Sequence, residues 1–211
     1  METHTRYNRI AGADVGRLEA LSDGIFAFAA TVLVLDFHTP DAADIHTEAQ
    51  LLGALAASAP RLMTWLLSLM TLGIFWVGQQ TGLNQLERSN RDLTWLHFVF
   101  LAIVTVLPFS TRLLADFFTY RTAFVIYWAN IFLLGAGLYA TWVYAEWAKL
   151  IRKDAHGEIS QAIRRRIVIA QSLYGVGAVV GLFNVTLGIT LIILIQLNFA
   201  IAPRLPILSR L

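Results

Sequence analysis

From Ile167 to Ala202 the chain runs for thirty-six residues without one Asp, Glu, Lys or Arg. An α-helix needs about 20 apolar residues to cross roughly 30 Å of bilayer hydrocarbon. The stretch is too long for one crossing and suits a hairpin of two short ones, with its turn near Asn184. Composition points the same way. Of the 211 residues, 57% are hydrophobic and 14% charged, and the mean hydropathy is +0.62. A soluble domain carries roughly 45–50% apolar and about 25% charged residues. The absence of cysteine excludes disulfides, Cys-ligated zinc, iron–sulfur clusters and thiol nucleophiles. A net charge of +2 is too small to imply a nucleic-acid partner. The chain reads as an integral, all-α, polytopic membrane protein.

Six spans are expected, at about 17–37, 62–80, 93–114, 123–147, 167–183 and 185–202, the second with an amphipathic start near Leu51. They form one six-helix domain over residues 1–211. The first apolar run begins late and carries Glu19 and Asp23 at its entrance, which argues against a cleavable signal peptide. Glu146 to Arg166 reads as a mixed-charge connector. With the amino terminus inside, thirteen Lys and Arg fall on the inner side and only Arg61, Arg112 and Arg121 outside. The positive-inside rule therefore puts both termini in the cytoplasm of a multi-pass cell-membrane protein.

No hydrolase elbow, zinc-protease helix, P-loop or dinucleotide fingerprint is present, so an enzyme is not expected. The histidines are scattered, and none pairs with another at metal-ligand spacing. His38 and His46, flanking acidic residues of the first outer loop, read as solvated rather than metal-binding.

The first span is more specific. Arg17, Ser22 and Asp23 stand inside or at the edge of an apolar helix, where ionisable groups are costly and normally face protein or water. The bland alternative is a helix start at the interface, with Ser or Asp capping free amides. Above them, at 100° per residue from Phe28, Thr31 lies about 60° and Leu35 about 20° to one side. Ile25 and Val32 fall within about 60° on the other flank, while Asp23 points about 140° away. One face thus reads Ile25, Phe28, Thr31, Val32, Leu35. It is either a packing face, with Thr31 bonded back to the carbonyl four residues earlier, or a functional one.

Arg17, Leu21, Ser22, Asp23 and Gly24, followed by the apolar run to Leu35, resemble the R-x-x-x-F-S-D signature of the transmembrane-protein-175 potassium channels. Gly73-Ile-Phe-Trp76-Val-Gly is similar to that family's F-W segment. The stretch from Leu93, Trp95 and His97 to Pro108, Phe109 and Ser110 is similar to its helix-three pattern. The resemblance covers about residues 17–114 and implies a homotetrameric potassium channel in the lipid bilayer, with helix one lining the pore and passive, cofactor-free permeation of potassium ions. It places the apolar constriction at Phe28, the hydroxyl ring at Thr31 and the outer apolar ring at Leu35, with Ile25 and Val32 flanking. It assigns Arg17, Ser22, Asp23, Trp76 and His97 to a network tying helix one to its neighbours. In a tetramer Asp36 becomes an acidic ring at the outer mouth.

The chain departs from the pattern at Leu21, where the motif has Phe, and at Gln79 and Gln80, where many members have histidines. At Phe28 the family usually places Ile or Leu. Four phenyl rings at the axis either close the pore or stand edge-on. A small proton-coupled secondary transporter and a non-conducting membrane scaffold are the alternatives, although mid-span polar residues are few: Thr31, Thr105, Asn130 and Asn198.

Overall fold

A computed structural model describes residues 12–35, 37 and 39–201. Among them are seven α-helices: α1 (Val15–Val34), α2 (Glu48–Ala57), α3 (Ala59–Leu83), α4 (Arg91–Asp116), α5 (Arg121–Trp147), α6 (Glu158–Phe183) and α7 (Val185–Ile201). By length and composition α3, α4, α5 and α6 can each cross a membrane. Helix α7 is shorter, at 17 residues, and α1 spends three of its 20 positions on Arg17, Glu19 and Asp23.

Local chemistry sets the ends. The Asn90 side chain accepts from Leu93 N at 2.9 Å and starts α4, satisfying one amide that a helix leaves unpaired. Thr47 and Gln50 close a capping box at α2. Helix α2 buries no residue. The amphipathic start expected before the second span is therefore a separate surface helix, broken from α3 at Ser58 just before Pro60. The chain turns at Asn184, whose backbone is extended between α6 and α7, and whose side chain accepts from Leu187 N at 3.1 Å.

The largest departure from expectation is at the connector of residues 146–166. Helix α6 begins at Glu158, so Arg164, Arg165 and Arg166 lie on its second and third turns rather than in a loop. Hydropathy reports where a helix enters hydrocarbon, and a helix continues beyond that point at no cost when its outer turns are solvated. Helix α5 ends in a Schellman turn with Lys149 in the left-handed conformation (φ 55°): Leu150 N donates to Ala145 O and Lys149 N to Glu146 O. Leu150 and Ile151 then pair with the segment after α3, through Glu87 N to Leu150 O and Arg152 N to Gln85 O, both 2.9 Å. A small apolar cluster of Leu86, Leu93, Trp142, Leu150 and Ile151 sits beneath this clasp.

The main core lies along α4. Phe100, Leu101, Val104 and Leu107 are fully buried, facing α1 and α3 on one side and Phe124, Tyr127, Ile131 and Leu134 of α5 on the other. Helices α6 and α7 cross at glycines. A Cβ added to Gly188 would stand 2.5 Å from the Gly181 Cα, so only glycine permits that approach.

Candidate functional site

Helix α1 opens with the Asp14 carboxylate accepting from Arg17 N at 3.4 Å and then presents three faces. Leu18, Ser22, Phe26, Ala29 and Leu33 are buried against α3 and α4. Their spacing of four, four, three and four residues is that of one helical stripe. Arg17, Leu21, Gly24, Phe28, Thr31 and Leu35 form a second stripe, uncovered along its whole length. Between the two, on one flank, Asp23 and Ala27 border an open groove floored by Leu69, Leu72 and Gly73 of α3.

The buried face is fixed by polar as well as apolar contacts. Ser22 is fully buried and His97 is 3% exposed. Ser22 Oγ lies 2.7 Å from His97 Nε2 and 2.6 Å from the Leu18 carbonyl, and Gln79 Nε2 donates to it at 2.8 Å. A hydroxyl carries one proton and two lone pairs. All three contacts are satisfied when Ser22 donates to Leu18 O and accepts from Gln79 and from a His97 protonated on Nε2. Beside it Asp23 Oδ1 accepts from Trp76 Nε1 at 2.8 Å and from Gln80 Nε2 at 2.7 Å. Two neighbouring residues of α1 are thereby bonded to two neighbouring residues of α3, and Trp76 adds a third attachment one turn away.

Arg17 does not enter this network. Its side chain is exposed, in line with Phe28 and Leu35, and has no partner among the described residues. On the same stripe Phe28 is 68% and Leu35 71% exposed, while Ile25 and Val32 are half-buried at its edge. Thr31 Oγ1 donates to the Phe28 carbonyl, three residues back rather than four, at 2.7 Å. Asp36 and His38 lie outside the described residues. His46 is exposed, with its backbone N–H on Gln50 Oε1. Among the described residues no three His, Asp or Glu side chains are grouped as a metal ion would need. At the outer end expected for this loop, Arg61 and Arg112 both lie against Asp116, at 3.3 and 3.7 Å.

Gln79 and Gln80 are central to the network, yet in sequence they stood out only as departures from a pattern. Their position after the Phe75-Trp76 pair, one and two residues past Gly78, was the available signal. A second polar cluster had no such signal. Ser68 and Thr71 of α3 meet Tyr127 OH at 3.2 and 3.1 Å, Thr111 donates to Ser68 at 2.6 Å, and Gln196 of α7 donates to Thr71 at 2.7 Å. It joins four helices at the bundle centre, and its members are common residues widely separated in the chain. Asn130 donates to Ile103 O at 3.3 Å, bridging α4 and α5; Thr105 bonds within its own helix and faces outward.

Comparison with known proteins agrees with this architecture. The sequence model of the family described as "Endosomal/lysosomal potassium channel TMEM175" matches residues 17–108. A potassium channel of Chamaesiphon minutus is 28% identical over 194 residues, covering 90% of this chain and 95% of its own length. A potassium channel of Streptomyces collinus is 35% identical over 102 residues, 48% of each chain. The human endosomal/lysosomal proton channel TMEM175 is 32% identical over 99 residues, 44% of this chain and 20% of that one. The crystal structure of a lysosomal potassium-selective channel TMEM175 homolog from Chamaesiphon minutus superposes with a TM-score of 0.79 at 25% identity, over 90% of this chain and 98% of that one. The matched segment begins at Arg17 and contains the whole Ser22–Gln79–His97 and Asp23–Trp76–Gln80 network, while the structural likeness extends over the remaining helices: the chain is similar to the TMEM175 channels in sequence over that segment and in fold along most of its length.

Proposed function

We propose that the protein is a homotetrameric, potassium-selective channel of the cell membrane. Each chain is a single channel domain that crosses six times with both termini in the cytoplasm, and four copies of α1 line one pore. The observation that carries this reading is the uncovered stripe of α1. A helix bolted to its own bundle along one face, and left open from Leu21 to Leu35 on the opposite one, is what a pore-lining element requires.

The stripe holds no titratable side chain above Arg17, so selection rests on dehydration and on neutral oxygen. The Phe28 ring narrows the axis and Leu35 forms a second apolar ring, and at each an ion must shed water. Potassium gives up its shell more cheaply than sodium, so a dewetting constriction favours it. Because Thr31 spends its proton on the Phe28 carbonyl, its oxygen lone pairs are free to face an ion at the axis. Four such oxygens replace part of the lost hydration. Asp36, with Asp41, Asp44 and Glu48, makes the outer mouth acidic and raises the local cation concentration. Asp116, which lies against both Arg61 and Arg112, offsets one of these two positive charges. Ser22, Asp23, Trp76 and His97 hold α1 in register, and Arg17 faces the inner end of the pore. No cofactor enters this scheme, and potassium is the permeant ion.

The test is flux from liposomes containing the purified protein under a potassium gradient. Passive potassium flux, larger than sodium flux and altered by Phe28→Ala, is the expected result. Flux appearing only in Phe28→Ala means a channel held shut by its phenyl rings. Saturable proton-coupled exchange would replace the channel reading with a transporter, and silence from both proteins would leave a scaffold. The animal relatives are named proton channels, so proton flux is read in the same vesicles. With no titratable group along the stripe above Arg17, it is expected to be the smaller current.

A further inference from the structure

Away from α1, a crevice of about 70 Å³ opens between α3, α5, α6 and α7. Its walls are mostly apolar, including Phe75, Leu138, Ile167 and Phe199, and Arg166 stands among its lining residues. Two polar groups in it lack partners: Tyr174 OH, on a side chain 1% exposed, and Gln171 Oε1. Buried polar atoms of this kind are normally satisfied, so the occupant must bring polar atoms as well as an apolar body. Water alone would satisfy the polar pair and leave the apolar walls wet.

The charges narrow the choice. Arg164 is engaged by Glu146 at 3.4 Å, whereas Arg166 has no acidic partner among the described residues. Arg166 and Tyr174 are eight residues apart on α6, which is about 12 Å along the helix. A phosphate and the ester groups of its glycerol unit extend over about half that length, and the long, flexible Arg166 side chain covers the rest. We propose that this crevice binds an anionic phospholipid from the leaflet on the Arg166 side. Its phosphate sits at Arg166, an ester carbonyl accepts from Tyr174 OH, and a headgroup hydroxyl donates to Gln171 Oε1. The acyl chain lies along Phe75, Leu138 and Phe199. The site rests on the chain being membrane-embedded and is independent of what the pore conducts.

A neighbouring cavity of about 30 Å³ shares Gly78, Leu138, Ile163 and Ile167 with this crevice and is lined by Gln79 and His97. The lipid is therefore separated by one wall of side chains from the residues that hold α1.

Native mass spectrometry of the detergent-purified full chain tests the proposal, with phosphatidylglycerol or phosphatidylcholine added as the probe. Wild type is expected to retain phosphatidylglycerol in preference to phosphatidylcholine. Arg166→Gln should lower that retention about fivefold, the usual worth of one cation near anionic lipid. Tyr174→Phe, which keeps the ring and the packing, should lower retention of both lipids, and Arg165→Gln should leave both unchanged. Equal retention of the two lipids by wild type, or undiminished phosphatidylglycerol on Arg166→Gln, would overturn the site. So would equal losses in Arg165→Gln and Arg166→Gln, which would mean a diffuse basic surface. Because the readout is lipid retained and not ion flux, failure here is distinct from failure of the channel reading.

Discussion

Phe26 and Phe28 are two residues apart on one helix and live in different worlds. Phe26 is 5% exposed and touches Phe100 with ring centroids 6.2 Å apart, whereas Phe28 is left 68% exposed by the described residues. The same division runs the length of α1. On one side lie Leu18, Ser22, Phe26, Ala29 and Leu33, sealed against α3 and α4. On the other lie Leu21, Gly24, Phe28, Thr31 and Leu35. The buried side is what makes the open side usable. A helix carrying a bare apolar stripe holds a fixed position only if its opposite face is anchored, and here the anchor includes hydrogen bonds whose geometry sets rotation as well as depth.

The division makes graded predictions. Phe26→Ala should have the largest effect on stability, about 3–5 kcal/mol in an unfolding titration in mixed micelles, because it opens a cavity beside Phe100. Ser22→Ala leaves Gln79 and His97 without their shared partner inside the bundle, and about 1–3 kcal/mol is expected by the same method. Trp76→Phe keeps an aromatic side chain but removes the donor to Asp23, and because that pair is partly exposed the cost should be about 1 kcal/mol. Phe28→Ala should change the stability of the dissociated chain by no more than about 0.5 kcal/mol, as for other uncovered positions. If Phe28→Ala proved as costly as Phe26→Ala, the two faces would not differ in the way their burial indicates.

Much of this helix was legible in the sequence. A wheel drawn from Phe28 puts Thr31 and Leu35 on its face and Asp23 well away, and the folded chain leaves the first two uncovered while Asp23 turns to Trp76 and Gln80. Arg17 shows the limit of reading a motif as a unit. The resemblance groups it with Ser22 and Asp23, but five residues of helix rotate it onto the open stripe. The turn at Asn184 could be read because a charge-free stretch of that length must fold back near its middle. The start of α6 at Glu158 could not, since its first turns are polar and polar turns resemble a loop in hydropathy. The cluster around Tyr127 was hidden for another reason. Ser68, Thr71, Thr111 and Gln196 belong to three further helices, and their meeting depends on how α3, α4, α5 and α7 pack rather than on any local spacing.

The chain's lack of cysteine allows the central claim, that the open stripe of α1 faces the ions, to be tested position by position. Thr31→Cys and Val34→Cys each place one thiol at an uncovered site of α1, the first on the stripe and the second about 60° away on the groove flank. Both proteins are reconstituted in liposomes and treated with a water-soluble cationic methanethiosulfonate while potassium flux is recorded. The account predicts that the reagent blocks flux through Thr31→Cys and leaves flux through Val34→Cys unchanged. Block of Val34→Cys with Thr31→Cys untouched would put the ion pathway on another face of the helix and contradict it.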